Sequence, residues 1–160
     1  MRSGSVRLIS AQPEVTLEHL EDHICAITLQ RPSKQNAIGQ QLLSELCATL
    51  DELANASMDK APRAVIVRSS VPGIFCAGGD FKEMAGMSAD ELKIFIRLLR
   101  GAVTSLEQLP MPTIAVIAGG AFGGGAAILC RIRGRREDFP KDMMCSDTVY
   151  QSSQAARSSR

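Results

Sequence analysis

The chain has no C-x-x-C pair, no H-E-x-x-H, and no apolar run approaching the roughly 20 residues that a membrane span needs. The missing span predicts a soluble protein without a membrane partner. Five cysteines (Cys25, Cys47, Cys76, Cys130 and Cys145) are scattered, and an odd number cannot all pair within one chain. Free, mostly buried thiols in a reducing compartment are therefore expected. His19 and His23 stand four residues apart, but the residues between them do not complete a zinc motif. They are expected to be strand or turn histidines, with no metal bound. An excess of one charge is also lacking: 18 lysines and arginines against 17 acids leave a net charge of +1. No global field calls for nucleic acid, an acidic substrate or an anionic membrane, so any charged partner is met locally. The G-x-G-x-x-G spacing is absent from Gly119 to Gly125, and no G-x-x-x-x-G-K-[ST] occurs. A dinucleotide or nucleotide fold thus has little support.

What is present is the composition of an ordinary globular protein, 45% hydrophobic and 22% charged over 160 residues, which suits one domain with a sizeable core. The opening M-R-S-G-S-V-R-L-I-S carries arginines and serines without an acid, as a mitochondrial transit peptide does, although a short disordered start fits as well. Ile24 to Leu29 (I-C-A-I-T-L) reads as a mostly buried strand. Between Gly39 and Ala56, Leu42, Leu43, Leu46, Leu50 and Leu53 recur at three- and four-residue steps, predicting a helix with one core-facing stripe. Ala64 to Arg68 is a second buried strand that ends in a loop at Ser69-Ser70-Val71-Pro72-Gly73. Ser88 and Glu91 form a capping box ahead of Leu92, Phe95, Ile96, Leu99, Val103 and Leu106, a second amphipathic helix closed by Pro110 and Pro112. Thr113 to Ile117 is a third buried strand and runs into a glycine-rich turn. This order is an α/β pattern with a largely parallel sheet.

Two glycine segments follow predicted strands, where open α/β sheets bind ligands. One is Phe75-Cys76-Ala77-Gly78-Gly79-Asp80-Phe81-Lys82, and the other is Gly123-Gly124-Gly125 leading into Ala126 to Cys130. Glycine lets a backbone approach a ligand closely, and a helix starting at the triple glycine leaves its first N–H groups unpaired. Two such groups aimed at one point would stabilise negative charge developing on a carbonyl oxygen. Either segment alone reads as a tight turn.

Three segments together resemble the enoyl-CoA hydratase/isomerase (crotonase) family. Arg31 to Ile38 (R-P-S-K-Q-N-A-I) is similar to its R-P-x-x-x-N-A segment. Val71 to Met84 (V-P-G-I-F-C-A-G-G-D-F-K-E-M) is similar to its F-x-A-G-x-D segment, and Pro112 to Gly125 to its triple-glycine segment. The likeness covers about residues 14–125, and the wording V-P-G-I-F-C-A-G is nearest the AU-binding methylglutaconyl-CoA hydratase branch. The resemblance implies the family's repeated ββα spiral, its N-terminal half only, and a coenzyme A thioester as ligand. It implies Gly79 and Gly124 as the oxyanion-hole amides, with Asn36, Ala37, Ala77, Gly79, Asp80, Phe81, Lys82 and Gly124 about the coenzyme A. Lys82 would bring a cation near its phosphates; a solvated helix-start lysine is the alternative. Asn36 could equally be a turn or helix cap. No cofactor is implied, coenzyme A being part of the substrate. The implied setting is a mitochondrial hydratase of fatty-acid or branched-chain amino-acid breakdown, with a cytoplasmic location as the alternative. The family's homotrimeric or hexameric assembly would be weakened by a missing half.

The pattern breaks after the triple glycine. A family hydratase has a glutamate two positions beyond the last glycine, working with a second glutamate downstream to add or remove water. Here the first position is Ala127, and the later acids Glu137, Asp138, Asp142 and Asp147 lie in no such setting. Truncation by splicing, a frameshifted tail or a gene-model error would explain this, and it predicts partly exposed apolar faces on the helices around Leu42 and Leu92. The organisation expected is a flexible start at 1–13, a truncated crotonase-like domain at 14–130 and a divergent polar tail at 131–160, read as disordered. An RNA-binding role, drawn from the AU-binding relative and the arginines between Arg131 and Arg136, is the main alternative. It is weakened by glutamine, serine and acids where that relative's first helix has lysines. A non-catalytic fragment that sequesters full-length subunits is a further one.

Overall fold

The computed structural model describes residues 12–57 and 59–132. The expected flexible start up to residue 11, and the expected disordered tail from residue 133 with Cys145 and the four late acids, lie outside the described residues.

The strands are β1 (Val15–His19), β2 (Ile24–Leu29), β3 (Ala64–Ser69), β4 (Gly73–Cys76), β5 (Thr113–Val116) and β6 (Gly119–Ala121). The helices are α1 (Gln40–Ala54), α2 (Phe81–Ala85), α3 (Ala89–Gln108) and α4 (Gly124–Arg131). In chain order they repeat one theme three times: β1β2α1, β3β4α2α3 and β5β6α4. One sheet has the order β1-β2-β3-β5, and β4 pairs with β6 in a second. Every pairing is parallel except β1 with β2. The largely parallel sheet read from the sequence is thus present, with an antiparallel strand added at one edge.

β2 lies between β1 and β3, and Cys25 to Leu29 are buried without a break, as a near-continuous apolar run in a central strand requires. The five leucines of α1 are all buried. The expected exposure around Leu42 is therefore absent, because α1 packs against both β1 and α3. The expectation fits α3 better: Phe95, Ala102 and Leu106 are buried, while Ile94 and Leu98 stand about half exposed. The capping box forms as read, with Ser88 Oγ accepting the Glu91 N–H at 3.3 Å and Glu91 Oε2 accepting the Ser88 N–H at 2.7 Å.

Three strands went unread in the sequence. β1 returns to β2 through a turn in which Leu20 N–H donates to Ile24 O at 2.7 Å and His23 takes φ 60°. β4 (G-I-F-C) is too short, and β6 (G-G-A) too short and too glycine-rich, for hydrophobic periodicity to register. The loop expected from Ser69 to Gly73 becomes a tight link in which Gly73 (φ 75°) already begins β4. Gly119 in β6 sits so close to the Gly73 backbone that any Cβ there would collide with it.

β5 corrects a further expectation. Thr113 is buried, but Ile114 and Val116 are 49% and 48% exposed. β5 is the edge of its sheet, and alternate side chains of a strand point to opposite faces, so only one set reaches the core. At the far end α4 includes Arg131, which pairs with Glu107 at 2.6 Å, and the following Ile132 is buried. Packing thus extends into the first two residues of the segment read as tail.

Candidate functional site

β4 and β6 run side by side, with Gly73 opposite Gly119 and Cys76 opposite Ala121. Phe122 N–H donates to Cys76 O at 2.9 Å, just beyond the last register pair. Both chains then turn. Gly79 is the third residue past Cys76, and Gly124 the third past Ala121. Gly78 (φ 94°) and Gly123 (φ 48°) hold conformations that side chains disfavour, and they face each other. A Cβ on Gly78 would meet Phe122 O at 3.0 Å and Gly123 Cα at 3.7 Å.

The amides of the first turn divide unequally. Ala77 N–H donates to Gln35 O at 3.1 Å, Gly78 N–H to Cys76 Sγ at 3.4 Å, and Asp80 N–H to Ile38 O at 3.0 Å. Gly79 N–H has no acceptor among the described residues. In the second turn, Gly125 and Ala126 N–H both reach Phe122 O, at 2.8 and 3.4 Å. Gly123 and Gly124 N–H have no acceptor among the described residues, as the first turn of α4 dictates. Unpaired donors from two touching turns, one of them at a helix N-terminus, suit a ligand atom carrying partial negative charge.

The first turn is braced by residues 31–38. Ile38 forms a parallel bridge with Gly79, its N–H donating to Gly78 O at 2.7 Å. Arg31 Nη1 donates to Ala37 O at 2.7 Å and to Asp80 Oδ2 at 3.0 Å, while its Nε meets Glu14 Oε1 at 2.8 Å. Asp80 Oδ1 accepts the N–H groups of Lys82 and Glu83, both at 3.2 Å, and so caps α2. Burial alone would raise the Asp80 pKa, but the Glu83 N–H and the charges of Arg31 and Lys34 outweigh it and hold the carboxyl below its ordinary value. Desolvation pushes the Cys76 thiol up to about 11.

The expected ligand residues divide by exposure. Asn36 is fully buried and Ala37 and Asp80 nearly so, so Asn36 offers a ligand no surface and the other two little. Ala77 is half-buried. Phe81 is 78% exposed, and Lys82 is exposed with no ion pair among the described residues. Ala127 lies on α4, its N–H donating to Gly123 O at 3.0 Å. Sequence reading missed Arg31 and Cys76 as parts of this site. No local signal marks an ion pair between residues so far apart, and a buried thiol was expected only in general terms.

Elsewhere, a cavity lined by His19, His23, Cys25 and Lys60 places His19 Nδ1 at 3.2 Å from Cys25 Sγ. Among the described residues no group of three or more histidines, cysteines or acids is placed to hold a metal. His19 ends β1 and His23 ends a 3-10 turn, as expected of ordinary strand and turn residues. The exposed side of α1 presents Gln40, Ser44, Asp51 and Glu52 and no lysine, which gives RNA no basic face there.

Residues 19–132 match a family model described as enoyl-CoA hydratase/isomerase. Methylglutaconyl-CoA hydratase, mitochondrial, of Mus musculus is 39% identical over 137 residues, covering 82% of this chain and 43% of that protein. Enoyl-CoA hydratase domain-containing protein 2, mitochondrial, of Bos taurus is 43% identical over 112 residues, covering 69% and 37%. The crystal structure of an enoyl-CoA hydratase from Bacillus anthracis superposes with a TM-score of 0.70 at 31% identity, covering 76% of this chain and 46% of that one. The chain therefore spans less than half the length of the relatives it matches. A match across most of the described residues, on the fold that the three motifs implied, makes this chain a member of the enoyl-CoA hydratase/isomerase family.

Proposed function

We propose that this chain holds the carbonyl oxygen of a coenzyme A thioester between the N–H groups of Gly79 and Gly124. That is the charge-stabilising half of adding water to, or removing it from, a 2-enoyl-CoA. The observation that supports the reading is the unpaired Gly79 amide, flanked by three satisfied neighbours, with the equally unpaired Gly124 amide following Gly123, which faces Gly78. As the acyl chain reacts, electron density moves onto the thioester oxygen, and donors already in place stabilise it without reorganising. The exposed Lys82 and Phe81, just past Gly79, would meet the coenzyme A portion. The proposal needs no cofactor beyond the coenzyme A of the substrate. The names of the relatives favour a mitochondrial location, and a homotrimer or hexamer is the assembly that membership implies, to be checked by sedimentation.

Water addition also requires groups that move protons. Ala127 supplies none at the position where a glutamate was sought. The chain alone is therefore expected to bind acetyl-CoA without hydrating crotonyl-CoA or 3-methylglutaconyl-CoA. Backbone amides cannot be deleted by mutation, so the ligand is varied instead. Acetyl-CoA should bind about tenfold more tightly than S-ethyl-CoA, which has CH2 in place of C=O, two hydrogen bonds being at stake. Equal affinities would refute the assignment.

A further inference from the structure

We infer that Asn36 is a positioning residue for the Gly79 amide, acting through residues 31–38 rather than by touching a ligand. The inference rests on the thioester reading above.

Asn36 is 0% exposed, and each polar atom of its side chain is engaged. Oδ1 accepts the Arg31 N–H at 2.7 Å; Nδ2 donates to Ser69 Oγ at 2.8 Å and to Phe75 O at 3.0 Å. One amide group therefore ties the start of this strap to the ends of β3 and β4. Gln35 and Asn36 both lie in the left-handed region, at φ 52° and 55°. Two consecutive non-glycine residues hold such angles only where the surroundings over-determine them. The Asn36 side chain is the internal brace that does so.

Its effect reaches Gly79 by two routes. Two residues after Asn36, Ile38 donates its N–H to Gly78 O and accepts the Asp80 N–H, the two bonds of a parallel bridge centred on Gly79. In that pattern the central residue's own N–H points away from the bridging strand. The strap therefore turns the Gly79 amide outward, toward the side where it stays unpaired. The second route runs through sulfur: Cys76 Sγ donates to Asn36 O at 3.1 Å and accepts the Gly78 N–H at 3.4 Å. Releasing Asn36 loosens both.

The test uses the full 160-residue chain and two ligands, acetyl-CoA and S-ethyl-CoA. Wild type should favour the thioester about tenfold; Asn36→Ala should reduce that preference to about twofold or less, with the affinity for S-ethyl-CoA changed by less than about twofold. Ser88→Ala, which removes a distant helix cap, should lower stability and keep the preference. Asn36→Asp, which keeps the Oδ1 acceptor and loses both Nδ2 donors, should follow Asn36→Ala. If neither Asn36 variant folds, Ser69→Ala decides, because it removes one Nδ2 partner: a preference cut by about half or more supports the inference. A preference intact in the folded variant overturns it, as does a parallel loss of affinity for both ligands. A wild type that binds both ligands equally removes the thioester reading itself, and this inference with it.

Discussion

The turns after β4 and β6 leave one parallel pair at matching positions and end in the same kind of unpaired amide, yet they are held by different means. The first is braced from outside. Gln35, Asn36 and Ile38 bond its backbone or the strand beneath it, and Arg31 grips Asp80. The second is held by close packing: Gly123 faces Gly78, and a Cβ on Gly125 would lie 2.6 Å from Cys76 Cβ. One turn depends on polar side chains from a distant part of the chain, and the other on the absence of side chains. The two should therefore fail under different substitutions.

The sharpest test is Gly125→Ala. Its Cβ would also meet Cys76 O at 2.8 Å, so something rigid must move, and a loss of about 3 kcal/mol or more is expected in urea denaturation. Gly79→Ala meets only the flexible Met84 side chain, at 2.9 Å, and should cost about 1 kcal/mol. Similar costs at the two positions would break the contrast.

Arg31→Ala addresses the first turn. The guanidinium is 14% exposed and serves Glu14, Asp80 and Glu83, so its loss leaves the buried Asp80 carboxylate without its nearest counter-charge. A destabilisation of about 2–3 kcal/mol is expected, with the Gly124 amide signal in NMR unmoved. Movement of that signal would show the two turns to be one mechanical unit.

Acid and base should separate the parts further. Cys76 serves both turns, its sulfur bonding Gly78 and its carbonyl Phe122. Its folded pKa is raised to about 11, so the neutral thiol's contribution is complete below the unfolded value. It should fade as pH climbs from about 9 through 11, by up to about 3 kcal/mol in all, and this limb should vanish in Cys76→Ala. Asp80 has the opposite sign: its folded pKa is lowered, so stability is full above the unfolded value near about pH 4 and falls as acid carries the pH through the folded one. Asp80→Asn should flatten that acid limb. The smallest effect lies outside both turns: Ser88→Ala should cost about 1 kcal/mol, read from thermal melts.

Much of this was legible in the sequence, for physical reasons that differ by region. α1 and α3 carry periodic apolar stripes, and β2 and β3 are six-residue strands built on apolar runs, so both kinds of signal register without knowledge of neighbours. β4 and β6 do not: their role is to place two glycines, and a strand of three or four residues is too short to leave a stripe. The candidate amides came from the family resemblance, because either glycine segment alone reads as a tight turn. The brace was not found. Asn36 was singled out, but its burial and its bonds to Ser69 and Phe75 depend on a crossover that only the fold reveals. Exposure of β5 was misjudged because an apolar run looks the same whether its sheet ends there or continues.

The register joining Cys76 to Ala121 has a consequence for how the molecule comes into being. Those strands are neighbours in space, but the whole of α2, α3 and β5 must be synthesised between them. Early hairpins and helices cannot prefigure the two facing turns at their ends, since closure of β6 on β4 is among the last long-range events available to the described chain. A nascent polypeptide released before residue 124 would carry most of the core and only one of the two donors.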